Sequence, residues 1–170
     1  MIEIPYNRIS AVSYANRWAL SRNPAYYDYS AIGGDCTNFA SQCVYAGCGV
    51  MNYSEIDGWY YIDANNKSPS WTGVRFFYNF MTTNTGLGPF GEEREIRYLL
   101  PGDIIQFGDS GGNYYHTVIL TEIVRFRNRR EFYVAAHSVD SYRRNITSYN
   151  FENYRGIHIS GARIPDYFNG

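Results

Sequence analysis

Gly33-Gly34-Asp35-Cys36-Thr37-Asn38-Phe39-Ala40-Ser41-Gln42 is the stretch from which the rest of the chain can be read. Two glycines close a loop, an acidic residue follows, and a cysteine opens a segment with helical periodicity. Phe39, Ala40, Cys43 and Val44 recur at three- and four-residue spacing, the pattern of one buried helical face. Gly47 and Gly49 act as stop signals, which predicts a helix over residues 36–46. Cys36 then sits at a helix N-terminus, where unpaired backbone N–H groups and the helix dipole favour negative charge. That position is expected to lower the thiol pKa and favour the thiolate, the nucleophilic form. The Gly-Gly pair permits a sharp turn and leaves space for a substrate carbonyl. Asp35 works against this, because a carboxylate beside a thiol raises its pKa. Its side chain is expected to cap or anchor the helix start, directed away from the sulfur. A buried, inert thiol is the plainer alternative for any cysteine; the Gly-Gly-Asp lead-in argues against it here.

The chain has 170 residues, enough for one domain (residues 1–170) to bury a full core without disulfides or metals. Its formal charge of −1 gives no global basic field, so no nucleic-acid partner is expected. No apolar run reaches the length of a membrane span, so no membrane partner is expected either. Met1-Ile2-Glu3-Ile4-Pro5-Tyr6 lacks a basic region followed by an apolar run, and no signal peptide is expected in this segment. Three cysteines cannot all pair; Cys43 and Cys48 are expected to be packed thiols, and no cysteine pair has zinc-site spacing. Eighteen tyrosines suit either a polar saccharide or peptide substrate or a set of Tyr-rich strands, and composition does not choose between them. Only one lysine, Lys67, stands among fourteen arginines.

Along the chain, apolar spacing predicts a first helix over residues 6–20, ended by Asn23-Pro24. A Tyr-rich loop then leads to the Gly-Gly turn. Residues 50–70 read as irregular with a short strand at 59–62. A helix from Ser70-Trp71 to about residue 84 follows, and then a Gly-rich loop over residues 86–91. Trp71 fits a core position or a cleft wall equally well. Ile104 to Phe107 and His116 to Val124 read as strands, the second buried on both faces because apolar residues occupy both. Arg127 to Arg130 is the expected hairpin turn, with a return strand over 132–138. One or two short strands broken at Gly156 and Gly161 complete the chain.

A nucleophilic cysteine needs a base within hydrogen-bond reach, and the base needs a third group to orient it. Of three histidines, His116 opens the buried central strand after a flexible loop, where its imidazole can face a helix N-terminus. His158 has no acidic neighbour in sequence and reads as ordinary. Cysteine on a helix first and histidine on a strand second is the order of papain-like enzymes. A hairpin about Arg127–Arg130 sets residues 140–141 across from His116 and selects Asp140 as orienting group. A turn shifted toward Phe126 selects His137 instead, and turn register leaves both open.

These residues resemble the family known as the putative amidase domain, found in Gram-positive bacteria and their phages, within the papain-like NlpC and CHAP superfamily. The stretches that carry the likeness include Tyr6-Asn7-Arg8, Asn23-Pro24-Ala25-Tyr26, Gly34 to Gln42, Ser70-Trp71, Pro101-Gly102-Asp103-Ile104, His116-Thr117 and His137-Ser138. The resemblance implies an α+β, papain-like fold with N-terminal helices packed on a small antiparallel sheet. It implies cleavage of a peptidoglycan amide bond with Cys36 as nucleophile and His116 as base, and no cofactor. It also implies a secreted, wall-associated or phage-lysin setting, with a wall-binding domain outside this segment. No glutamine precedes Cys36, so the oxyanion donor that papain-like proteases place there has no counterpart.

Overall fold

The computed structural model describes residues 1–166 of the expected 1–170 domain. Among the described residues four α-helices and seven strands form; most of the sheet follows the helices as predicted, but the strand Ile2–Ile4, which no sequence signal marked, comes before the first helix. Helix α1 (Arg8–Trp18) begins two residues later than its periodicity implies, because the Asn7 side chain accepts the Ser10 N–H at 3.0 Å and caps it. Helix α2 (Cys36–Cys48) starts at the predicted residue and ends at Gly49, whose φ of 67° is the left-handed helix stop. The single helix expected after Ser70 is two: α3 (Pro69–Thr72) and α4 (Val74–Thr83), separated by Gly73 in extended conformation. The expected strand at 59–62 is reduced to isolated bridges, Asn52 with Trp59 and Tyr61 with Lys67.

The strands are β1 (Ile2–Ile4), β2 (Gly88–Arg94), β3 (Ile104–Gly108), β4 (Tyr114–Phe126), β5 (Arg129–Ala136), β6 (Ser141–Asn145) and β7 (Asn153–Ile164). They form one antiparallel sheet in the order β1-β7-β3-β4-β5-β6, with β2 also paired to β7. The Gly-rich stretch expected as a loop is therefore partly the strand β2. Gly156 and Gly161 do not break β7. A Cβ at Gly156 would lie 2.5 Å from the Arg94 carbonyl oxygen and 2.8 Å from Leu99, so the glycine is what lets β2 and the Leu99 turn approach.

Apolar side chains fill both faces of the sheet, as the unalternating pattern of β4 predicts. The helices cover one face, where Phe39, Val44, Trp59, Trp71, Phe77 and Ile119 are fully or nearly fully buried. Trp71 is a core residue rather than a cleft wall: it is 0% exposed and donates from Nε1 to Asn38 at 2.9 Å. Ile105, Phe107, Val118, Leu120 and Val134 form a second core on the other face, closed by Leu99, Ile146, Tyr149 and Phe151.

Candidate active site

β5 stops at Ala136, and its pairing with β4 runs no further than Ile119–Ala135. The β4 edge at Thr117 therefore has no strand beside it, and the first residue of α2 occupies the gap. The Thr117 backbone N–H points at the Cys36 sulfur, and the Thr37 hydroxyl lies 3.8 Å from it. Thr37 and Thr117 hydroxyls meet at 3.0 Å, and Gln106 donates to Thr117 at 3.2 Å, tying α2 to the two central strands. Cys36 is 7% exposed. Burial pushes its thiol pKa up, while the Thr117 N–H and the Thr37 hydroxyl pull it down. The lowered pKa expected from helix position is thus overcome by desolvation. Cys43 and Cys48 are free, buried thiols as expected, Cys48 raised to about 12 by burial.

Asp35 explains the geometry in front of Cys36. Its carboxylate accepts from the Tyr29 N–H at 2.9 Å and from the Asn38 amide at 2.8 Å, and meets His137 Nδ1 at 2.5 Å. It anchors the loop, as expected, but makes no side-chain cap on α2. The first N–H groups of that helix are left uncapped beside the sulfur. The Asp35 N–H itself donates to Ser138 Oγ at 2.6 Å.

His137 and Asp140 both prove to serve this loop rather than His116. His137 is 1% exposed, stacks on Phe39 with ring centroids 3.9 Å apart, and turns Nε2 to the Trp18 carbonyl at 2.8 Å. Both its nitrogens are committed, so neither can hold another imidazole. Asp140 lies beyond the end of β5 and accepts two bonds from Arg22 at 2.9 Å each. No residue of β5 pairs with His116, because the strand ends before reaching it. His158, read as ordinary, does have an acidic partner in space: its Nδ1 lies 2.8 Å from Asp103, which also pairs with Arg8 at 2.7 Å.

His116 pairs with Phe107 across β3 and β4, and its ring stacks near Phe107 and Tyr149. Phe107 belongs to the second core, so the imidazole leaves β4 on the face opposite the Thr117 hydroxyl. Desolvation, with a smaller contribution from the Arg144 charge, lowers its pKa to about 4. The ring is neutral at pH 7. Among the described residues no hydrogen bond joins it to Cys36 or to a carboxylate; the two are neighbours through the backbone of residues 116–117.

The family described as "putative amidase domain" matches residues 5–160. The chain belongs to that family. The family name marks it as an amide hydrolase domain. The uncharacterized protein YhbB of Bacillus subtilis (strain 168) is a relative, 32% identical over 118 residues. Those residues are 68% of this chain and 37% of YhbB, so the domain spans little more than a third of that relative. No solved structure matches. Sequence reasoning reached Cys36 through its Gly-Gly-Asp lead-in. It missed Thr37 and Thr117, which the fold sets at the sulfur, and Ser138, which it sets on the Asp35 N–H; all three are ordinary polar residues in sequence.

Proposed function

We propose that this amidase-family domain is a papain-like cysteine hydrolase of peptidoglycan, cutting the amide between N-acetylmuramic acid and L-alanine. The uncapped start of α2 at Cys36, seated in the gap in the β4 edge, carries this reading. An N-cap aspartate ordinarily occupies such N–H groups; here Asp35 is drawn away and leaves them facing the sulfur. In the proposed reaction neutral His116 rotates toward Cys36 and takes its proton. The thiolate attacks the amide carbonyl, and the oxyanion is held by the Cys36 N–H at the positive end of the helix. His116 returns the proton to the leaving amine, and water then releases the acyl group from the thioester. Such a domain works at the cell wall, as part of an autolysin or a phage endolysin.

The test is turbidity loss and new amine termini from purified peptidoglycan, comparing the wild-type domain with Cys36→Ala. The expected result is loss of both signals in the variant, with mass spectrometry locating the cut at muramoyl–alanine. Equal signals from the two proteins would overturn the thiol mechanism, and a cut inside the stem peptide would replace amidase by endopeptidase.

A further inference from the structure

A pocket of about 390 Å³ opens at the Gly33-Gly34 turn that leads into Cys36. Its walls include Tyr29, Ile32, Gly33, Gly34, Lys67 and Thr72, and no acidic side chain. Gly34 is two residues from Cys36, so the pocket begins within about 7 Å of the Cys36 backbone along the chain. Lys67, the chain's only lysine, lies with Nζ 4.7 Å from the Tyr29 ring centroid and donates to the Ala64 carbonyl at 2.9 Å. An ammonium has three protons. Among the described residues no carboxylate pairs with this one, so its charge is unneutralised at the pocket wall. The Thr72 hydroxyl and the Gly33 N–H also make no hydrogen bond among the described residues, while the N–H groups on either side of Gly33 both donate to Tyr29. A Cβ built at Gly33 would meet nothing within 4 Å, so its backbone borders open space.

A cation, a hydroxyl and a free backbone N–H line one pocket that has no carboxylate in its walls; the Ala64 carbonyl there accepts from Lys67 and Tyr29 and leaves the other ammonium protons available. We infer that this pocket is a subsite for a substrate carboxylate next to the scissile amide, with Lys67 as its recognition residue. Ile32, 64% exposed, gives the aliphatic part of such a ligand an apolar wall. The inference rests on the reading of Cys36 as nucleophile for its place in a reaction, but not for the binding itself.

Binding is tested on the Cys36→Ala protein with two small probes, N-acetylglutamate and its uncharged diamide (both carboxyls as primary amides), followed by amide chemical shifts. The expected result is a saturable shift of Gly33 and Gly34 with N-acetylglutamate, at least tenfold weaker with the diamide. Lys67→Met abolishes the glutamate response and Lys67→Arg keeps most of it. Equal responses to the two probes, or an unchanged response in Lys67→Met, would overturn the subsite. In hydrolysis assays Lys67→Met raises KM about tenfold for muramoyl-peptides with a free carboxylate near the cut, with a much smaller change for their amidated counterparts and in kcat. A kcat loss shared by both peptides would overturn carboxylate recognition. Hydrolysis that survives Cys36→Ala would instead defeat the nucleophile reading and leave the probe result standing.

Discussion

Asp35 is placed where a helix cap belongs and does not cap. Its carboxylate is fully buried and spends its acceptors on Tyr29, Asn38 and His137, so the loop before Cys36 is held from three directions. Removing one partner of a buried pair strands the other. Asp35→Ala is expected to cost about 3–5 kcal/mol in urea unfolding. His137→Ala should cost much of the same, and the double variant far less than the sum. His116 supplies a pH signature. Its folded pKa, about 4, lies below the unfolded value near 6.5, so the unfolded chain binds the proton first. Its stabilising contribution is therefore full above about pH 6.5 and lost as the pH falls through 4, at most about 3 kcal/mol. Thermal unfolding of wild type and His116→Phe between pH 4 and 7 checks this: the variant should show a shallower acid loss. In the proposed reaction His116 is the base and must be neutral, so the acid limb of kcat/KM should fall near pH 4. His116→Ala should lower kcat by roughly 10²–10⁴.

At the scale of elements, the site is a defect in the sheet. A thirteen-residue β4 is paired with an eight-residue β5 that stops short, and the start of α2 fills the vacated edge. Ser138, with φ of 77°, turns the chain out of β5 and brings its hydroxyl to the Asp35 N–H. β7 makes the complementary demand, since β2 lies on one of its edges and β1 and β3 share the other. The 2.5 Å approach of the Arg94 carbonyl to the Cβ position of Gly156 leaves no room for a side chain. Gly156→Ala is expected to destabilise the domain by about 1–3 kcal/mol, read as a lower Tm, with no direct effect on the Cys36 environment.

The whole molecule divides its apolar burial between two faces of one sheet, and the two parts of the proposed dyad divide with it. α2 and Cys36 belong to the helix side, while His116 belongs to the second core with Phe107 and Tyr149. That second core is what desolvates the imidazole. Phe107, 1% exposed, packs against both Tyr149 and Phe151. Phe107→Ala should cost about 3–5 kcal/mol and raise the His116 pKa toward its ordinary value, which a histidine proton titration by NMR would detect. A pKa left near 4 in that variant would show that the Phe107 wall is not what holds it down.

Local signals in the sequence determined that α1 and α2 precede the central strands, the helix start at Cys36 and the double-sided burial of β4. Each is written in spacing: the glycine-bounded apolar period of residues 36–46, and the unalternating run His116 to Val124. The third group was not legible, because hairpin register and the end of β5 depend on a bulge after Leu120 and on where the chain turns at Ser138. Those depend on contacts more than a hundred residues apart, such as Asp35 with His137. The thiol's raised pKa was hidden for the same reason: helix position can be read along the chain, but desolvation belongs to neighbours brought in by the fold. Sequence alone thus named the nucleophile candidate and its strand-borne histidine. Tertiary structure alone decided that Asp35 keeps His137, that Arg22 keeps Asp140, and that Thr117 reaches the sulfur, because only folding sets a buried group's partners and its distance from water.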